Sequence, residues 1–215
     1  MNIGKLQTFL VGIVLAINAP LVLAAPDEAS SILELKYEWN TREVSAVQHL
    51  GTCPIHVVPT YDERQNKETI GATFGGALVV GEMSKWVSDG MRHMKNFGFT
   101  VDEVNGDVTA APQDDGLTVK TTLTRAYTWQ IGLKIFSMVA VKAQFINKDG
   151  ILQEKYYRAH GDKTNMWGAS SEYLTTLNYG LNNLLPVMAE DLVSLCKGTK
   201  VAAYSYAGPA AAPAK

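Results

Sequence analysis

The longest patterned stretch of the chain runs from Leu117 to Gly161. Leu117, Val119, Leu123, Tyr127, Trp129 and Ile131 share one parity, and Thr118, Lys120, Thr122, Thr124, Thr128 and Gln130 share the other. A period of two is that of a strand with one face on a core. Apolar, β-branched and aromatic residues continue from Leu133 to Phe145. The turn sequence Asn147-Lys148-Asp149-Gly150 then leads into a third run, Ile151 to Gly161. Asn and Asp side chains bond back to the local backbone in tight turns, and Gly supplies positive φ. The pattern predicts three consecutive strands, the last two a hairpin.

Two stretches carry the helical period. From Leu78 to Phe97, Val79, Met83, Trp86 or Val87, Met94 and Phe97 recur every three or four residues. Glu82, Lys85, Asp89, Arg92 and Lys95 take the other face, and Gly98 stands where a left-handed residue ends a helix. Gly90, inside this helix, is unfavourable by roughly 1 kcal/mol relative to Ala and implies a close neighbour. From Ser171 to Lys197 the stripe is Leu174, Leu177, Leu181, Leu184, Met188, Leu192 and Leu195. Ser170 or Ser171 caps it, Glu172 faces the positive end of the dipole, and Pro186 is expected to bend or divide it.

The remaining segments follow from shorter signals. Cys53 to Pro59 reads as a strand limited by its prolines, and Phe99 to Val104 as another. Tyr61 to Glu68 reads as a charged loop and Ile70 to Gly76 as a flexible lead-in to the first helix. Leu33, Leu35, Tyr37 and Trp39 alternate, which fits either a short strand or an arm laid over the domain. Asn105 to Gly116 is a loop, Asp162 to Ala169 a connection, and Ala207 to Lys215 an Ala/Pro-rich mobile tail. The expected fold is α+β: an antiparallel or mixed sheet of about five strands with two long helices packed on one face. One domain is expected over residues 51–198, after an arm at 26–50 and before a disordered tail at 199–215.

Composition adds a compartment. Residues 1–25 hold a single charge, Lys5, an apolar core at Phe9–Ile17 and small residues at Ala24-Ala25, as a cleaved export signal does. The apolar run is short for a bilayer span, and no Cys ends it, so no lipid or transmembrane anchor is expected. The mature chain is expected in the periplasm, or secreted. In an oxidising compartment the two cysteines, Cys53 and Cys196, are expected to pair; the other reading is two buried thiols. With 215 residues, 47% of them apolar, the chain can build a core. A net charge of −2 argues against nucleic acid, which needs a concentrated basic face.

Candidate chemistry is sparse. His49, Cys53 and His56 have the spacing of soft-metal ligands, in competition with the disulfide. Gly71 to Gly76 lacks the Lys and Ser/Thr of a phosphate loop. Asp62, Glu63 and Arg64 follow a strand end and read as a solvated turn with a local ion pair, or as a site. Asn178, Asn182 and Asn183 flank the leucine stripe and read as its solvated side, or else as an interaction surface. Ser-His-Asp catalysis needs three groups converging in space, and nothing local supplies them. No cofactor is called for, and no catalysis is expected.

The strand Ile55–Val58, the Asp62-Glu63-Arg64 triplet, the helix ending Asn96-Phe97-Gly98-Phe99-Thr100-Val101 and Tyr156-Tyr157-Arg158-Ala159 together resemble the YajG family of small bacterial envelope proteins, most of them lipoproteins. The resemblance spans Cys53 to Cys196. It implies an envelope protein whose function is not known, and it transfers no functional residue. The lipid-bearing Cys of the family is missing here. The resulting expectation is an exported accessory protein that binds another envelope protein, a lipid or a glycan. Its candidate interaction loop comprises Asp62, Arg64, Gly71, Gly75 and Gly76. The alternative is an enzyme with a dispersed site at Asp62, Arg64 and His160.

Overall fold

A computed structural model describes residues 32–39, 50–73, 76–104, 112, 114–165 and 169–208. In chain order these form β1 (Ile55–Asp62), β2 (Thr69–Thr73), β3 (Gly76–Val79), α1 (Met83–Arg92), β4 (Val101–Glu103), β5 (Leu117–Ile131), β6 (Lys134–Asn147), β7 (Gly150–Thr164), α2 (Ser170–Cys196) and β8 (Tyr204–Ala207). Six strands make one sheet in the order β4-β1-β5-β6-β7-β8, while β2 and β3 form a separate ribbon. The β5-β6-β7 meander is antiparallel, and β4, β1 and β8 join it through parallel pairings. The class is α+β as expected, with six strands in place of about five and a ribbon that the pattern did not reveal.

Both helices lie on one face of the sheet and share one apolar cluster. Met83, Trp86, Val87, Met91 and Met94 from the α1 region meet Leu177, Leu181, Leu184 and Met188 of α2 over Val57, Leu123, Val139 and Tyr157. Trp86, Val87 and Leu181 are completely buried. Gly90 has the close neighbour its position implied: a Cβ there would stand 2.8 Å from Leu181 Cδ2. A second close approach brings β7 against α2, where a Cβ on Gly161 would lie 2.3 Å from the Thr176 carbonyl oxygen. Ser137 Oγ donates to that same oxygen at 2.6 Å. The disulfide between Cys53 and Cys196, with Cα atoms 5.9 Å apart, ties the entrance of β1 to the end of α2.

Several expectations are corrected. The first helix begins at Met83, five residues after Leu78, because Glu82 takes a left-handed conformation (φ 44°) and breaks the run. Leu78 and Val80 are buried with half-buried Val79 between them, the alternation of a strand. Ile70 to Gly76 is therefore no lead-in to a helix: Ile70 to Thr73 lie in β2, and Gly76 opens β3. After Arg92 the helix tightens into a 3-10 segment, His93–Phe97, which Gly98 stops at φ 87° as expected. Strand β1 runs through Pro59 to Asp62, with a register break between Val58 and Tyr61 that accommodates the missing donor. Helix α2 continues through Pro186 undivided. Tyr204–Ala207, inside the segment 199–215 expected as a disordered tail, pairs with β7 as β8.

One further correction determines which face is free. In β5 the register with β6 slips between Leu123 and Arg125, a one-residue bulge at Thr124. An extra residue flips the inward and outward parity beyond it. Up to Leu123 the odd positions face the helices, and beyond it Ala126 and Thr128 are the buried ones. Tyr127 and Ile131, expected inside by parity, are exposed.

Candidate functional site

The sheet face opposite the helices carries no helix among the described residues. Pairing register places its side chains in rows across the strands. Thr122, Lys142, Tyr156 and Tyr204 form one row, and Arg125, Ala140, Arg158 and Tyr206 the next. Tyr127, Met138 and His160 form a third, and Trp129, Phe136 and Asp162 a fourth. Tyr127, Tyr156, Tyr204 and Tyr206 are 39% to 57% exposed. So many large rings on one open face is a departure from an ordinary monomer surface, where exposed apolar side chains are scattered singly.

The aromatic groups are organised at one end of this face. Trp129 stacks on Phe136 with centroids 5.5 Å apart, and the His160 ring stands edge-on to Trp129 at 5.8 Å. His160 also tilts against Tyr206 at 5.4 Å. Arg158 Nε donates to His160 Nε2 at 3.2 Å. Burial, and then the Arg158 charge, lower the His160 pKa below the ordinary histidine value, so the ring is a neutral acceptor at pH 7.

Charge on the face is uneven. Lys134 pairs with Asp162 at 2.5 Å and Lys142 with Glu154 at 3.0 Å. Arg125 and Arg158 have no carboxylate partner among the described residues, and between them stands only the methyl group of Ala140. Here the surface dips into a cleft of about 380 Å³ lined by Arg125, Tyr127, Met138, Tyr156, Arg158 and Tyr204. Met138 lies on its floor, 2% exposed and apart from the main core cluster.

A second cleft, of about 460 Å³, shares the wall made by Thr124, Arg125 and Tyr127 and extends to Arg64, Thr69 and Gly71. Arg64 is not the solvated end of a turn; it is buried. Its Nε donates to Asp62 Oδ1 at 3.0 Å and its Nη2 to Asp62 Oδ2 at 2.9 Å, a two-pronged pair. Arg64 Nη1 is buried with no hydrogen-bond partner. Burial raises the Asp62 pKa, but bonds to Arg64 and its charge outweigh that and set it below the usual carboxylate range. Gly71 is needed where β2 meets β5, because a Cβ on it would lie 2.5 Å from the Thr128 carbonyl oxygen.

The candidate residues thus divide. Arg64 and Gly71 share one cleft with Arg125 and Tyr127, and Asp62 anchors Arg64. Gly76 pairs with Thr73 at the start of β3, with open space where a Cβ would stand, and Gly75 lies outside the described residues. His160 contacts Trp129, Tyr206 and Arg158, and no described contact joins it to Asp62 or Arg64. Glu63 is exposed beyond the end of β1. The metal reading fails on its thiolate, since Cys53 is oxidised. His56 Nε2 instead meets Asp114 Oδ1 at 3.0 Å, and His49 lies outside the described residues.

The asparagines were misjudged. Asn178 and Asn182 are buried and hold the arm at 32–39. Asn178 Oδ1 accepts from Trp86 Nε1 at 2.8 Å and from the Glu38 amide at 3.2 Å, while its Nδ2 donates to the Lys36 carbonyl at 3.0 Å. Asn182 accepts from Tyr37 Oη at 2.6 Å and donates to the Glu38 carbonyl at 2.8 Å. Asn183 donates to the His160 carbonyl at 2.7 Å. Sequence reasoning also passed over Lys155, which pairs with Asp191 at 2.5 Å beneath β7 while Tyr157 donates to the same carboxylate at 2.7 Å. The one available signal was a lysine inside a strand whose parity faces the helices.

No protein-family model matches this chain, and no curated protein matches its sequence. The chain is similar to several solved structures, and the first of them shares its fold. Protein XCC0632 from Xanthomonas campestris, of family model DUF330, superposes with a TM-score of 0.53 at 6% identity, over 77% of this chain and 98% of its own. Hypothetical protein CT253 from Chlamydia trachomatis gives 0.46 at 8% identity, over 69% and 100%. A minor lipoprotein from Acinetobacter baumannii gives 0.42 at 6% identity, over 67% and 94%.

Proposed function

We propose that the protein is an exported accessory protein of the bacterial envelope that captures a ligand on the open face of its sheet and does not turn it over. The observation that carries this reading is the set of exposed tyrosines on that face beside Arg125 and Arg158, which have no carboxylate partner among the described residues. Burying an aromatic side chain of this size is worth about 1.5–3 kcal/mol. About half exposed, these rings retain roughly half of that free energy for a partner. Export is supported by the signal-like residues 1–25 and by a disulfide of the kind that persists in oxidising compartments. The likeness to YajG proteins belongs to the same proposal and favours the envelope. The two clefts flanking Arg125 bring Arg64 and Gly71 into the same surface, so part of the expected interaction loop borders the face.

Hydroxyl-radical footprinting tests the reading. Tyr127, Tyr156 and Tyr204 are expected to react more slowly in the intact envelope than in the purified mature protein, with exposed Ile32, on the arm beside Gly81, as an internal reference. Equal reactivity of all three in both settings overturns an occupied face.

A further inference from the structure

The pattern of charge and rings on the open face also selects among ligand classes. Two guanidinium groups project on either side of Ala140, one from β5 and one from β7. Two strand spacings put their Cα atoms about 10 Å apart, within reach of a single anionic group set over Ala140. Lys142, the one lysine in these rows, is paired with Glu154, and Lys134, at the start of β6, with Asp162. Positive charge without an ion pair is therefore concentrated at Arg125 and Arg158, with Lys67 over the Tyr61 ring at the β1 end of the face. An anionic bilayer rewards a spread of cations, whereas a discrete carboxylate or sulfate rewards a guanidinium pair.

The apolar part of the surface has the same selectivity. Tyr127, Tyr156 and Tyr204 rim the cleft, with Met138 beneath. This is a shallow trough with ring walls, open at the Arg125 and Tyr127 wall into the adjoining cleft. An extended peptide finds its main-chain partners at a sheet edge, not on a face whose backbone groups are already paired. A chain of pyranose rings fits better, because the C–H faces of a sugar stack on aromatic rings and its carboxylates meet the arginines.

We propose that the two adjoining clefts form one groove for an acidic oligosaccharide. Arg125 and Arg158 hold its carboxylate or sulfate, and Tyr127, Tyr156 and Tyr204 stack its rings. The proposal rests on the reading of the open face as a binding surface and names what that surface takes.

The test is calorimetry of the mature protein with trigalacturonate, an alginate trimer and a hyaluronan tetrasaccharide, against cellotriose, inorganic phosphate and phosphatidylglycerol vesicles. At least one acidic oligosaccharide is expected to bind at least about tenfold more tightly than cellotriose and than phosphate. Arg125→Gln with Arg158→Gln is expected to weaken that binding about tenfold or more, and Tyr156→Ala with Tyr204→Ala by a similar factor, at unchanged melting temperature. All four positions are solvent-exposed, so the variants retain the core. The proposal is overturned if none of the three acidic sugars binds, if vesicles or phosphate bind as tightly, or if the double arginine variant binds like the parent. Footprint protection in the envelope together with failure of the acidic sugars discards the saccharide and leaves the binding face standing. Loss of both discards both.

Discussion

Replacing Asn178 by Ala tests whether the arm at 32–39 is part of the fold. The change removes three hydrogen bonds. One was the partner of Trp86 Nε1, whose side chain is completely buried and has no route to water. Stranding a buried donor costs about 1–3 kcal/mol. The bonds to the Glu38 amide and the Lys36 carbonyl are half-buried, and each contributes about 0.5–1 kcal/mol. The sum is a loss of about 3 kcal/mol. Equilibrium unfolding in urea measures it as a lower midpoint at constant slope. Hydrogen exchange at the Glu38 amide reports the arm directly, and Asn183→Ala, which loses one bond to the His160 carbonyl, is the reference at about 1 kcal/mol. A loss no larger than the reference, with the Glu38 amide still protected, would refute the assignment. The arm would then be held by Asn182, Leu35 and the stacking of Trp39 on His93, without Asn178.

Two further predictions concern the same frame. Gly161→Ala is expected to lower stability by about 1–3 kcal/mol or more, because the added Cβ meets the backbone of α2 at Thr176 and Gly180 and neither can rotate away; a melting temperature equal to the parent's contradicts the close approach. Opening the disulfide by Cys53→Ser with Cys196→Ser frees a loop closed across 143 residues, for which chain entropy sets an upper bound of about 5 kcal/mol. The expected loss is about 2–5 kcal/mol in chemical unfolding, and unchanged stability would show that the denatured chain gains nothing from the cut.

The meander was legible because its signals are local and agree. Asn147 to Gly150 makes the expected turn, the Asp149 amide donating to Asn147 Oδ1 at 2.9 Å, with Gly150 at φ 115°. The α2 stripe was legible for the same reason, since seven apolar residues repeat through its turns. What failed had two valid periods or none. Val79 and Met83 satisfy a helix read backwards from Met83, yet Val79 closes strand β3, and the left-handed Glu82 separates the elements. Strand β8 is held by pairing to β7, a contact across about fifty residues that no local pattern encodes. Asn178 and Asn182 were misread because polarity was taken for exposure. A buried asparagine is stable when both ends of its amide are bonded, and the partners, Tyr37, Lys36, Glu38 and Trp86, lie far away in sequence.

The candidate site was missed for a reason internal to β5. Strict alternation from Leu117 to Ile131 would place Tyr127, Trp129 and Ile131 under the helices and Thr128 and Gln130 in water. The bulge at Thr124 reverses both assignments. Thr128 turns inward and donates to the Ile70 carbonyl at 3.1 Å, which docks the ribbon, while Tyr173 Oη donates to Gln130 Oε1 at 2.6 Å. The inner polar positions therefore find bonds, and the rings are turned outward onto the open face. One inserted residue thus fills the core end with threonine and glutamine and supplies the aromatic wall shared by both clefts. A chain with Thr124 deleted would keep Arg125 opposite Ala140 and Tyr127 opposite Met138 without a bulge, so the rings and Arg125 stay on the open face; only a β5 that paired Thr124 itself with Ala140 would turn Tyr127 and Trp129 under the helices.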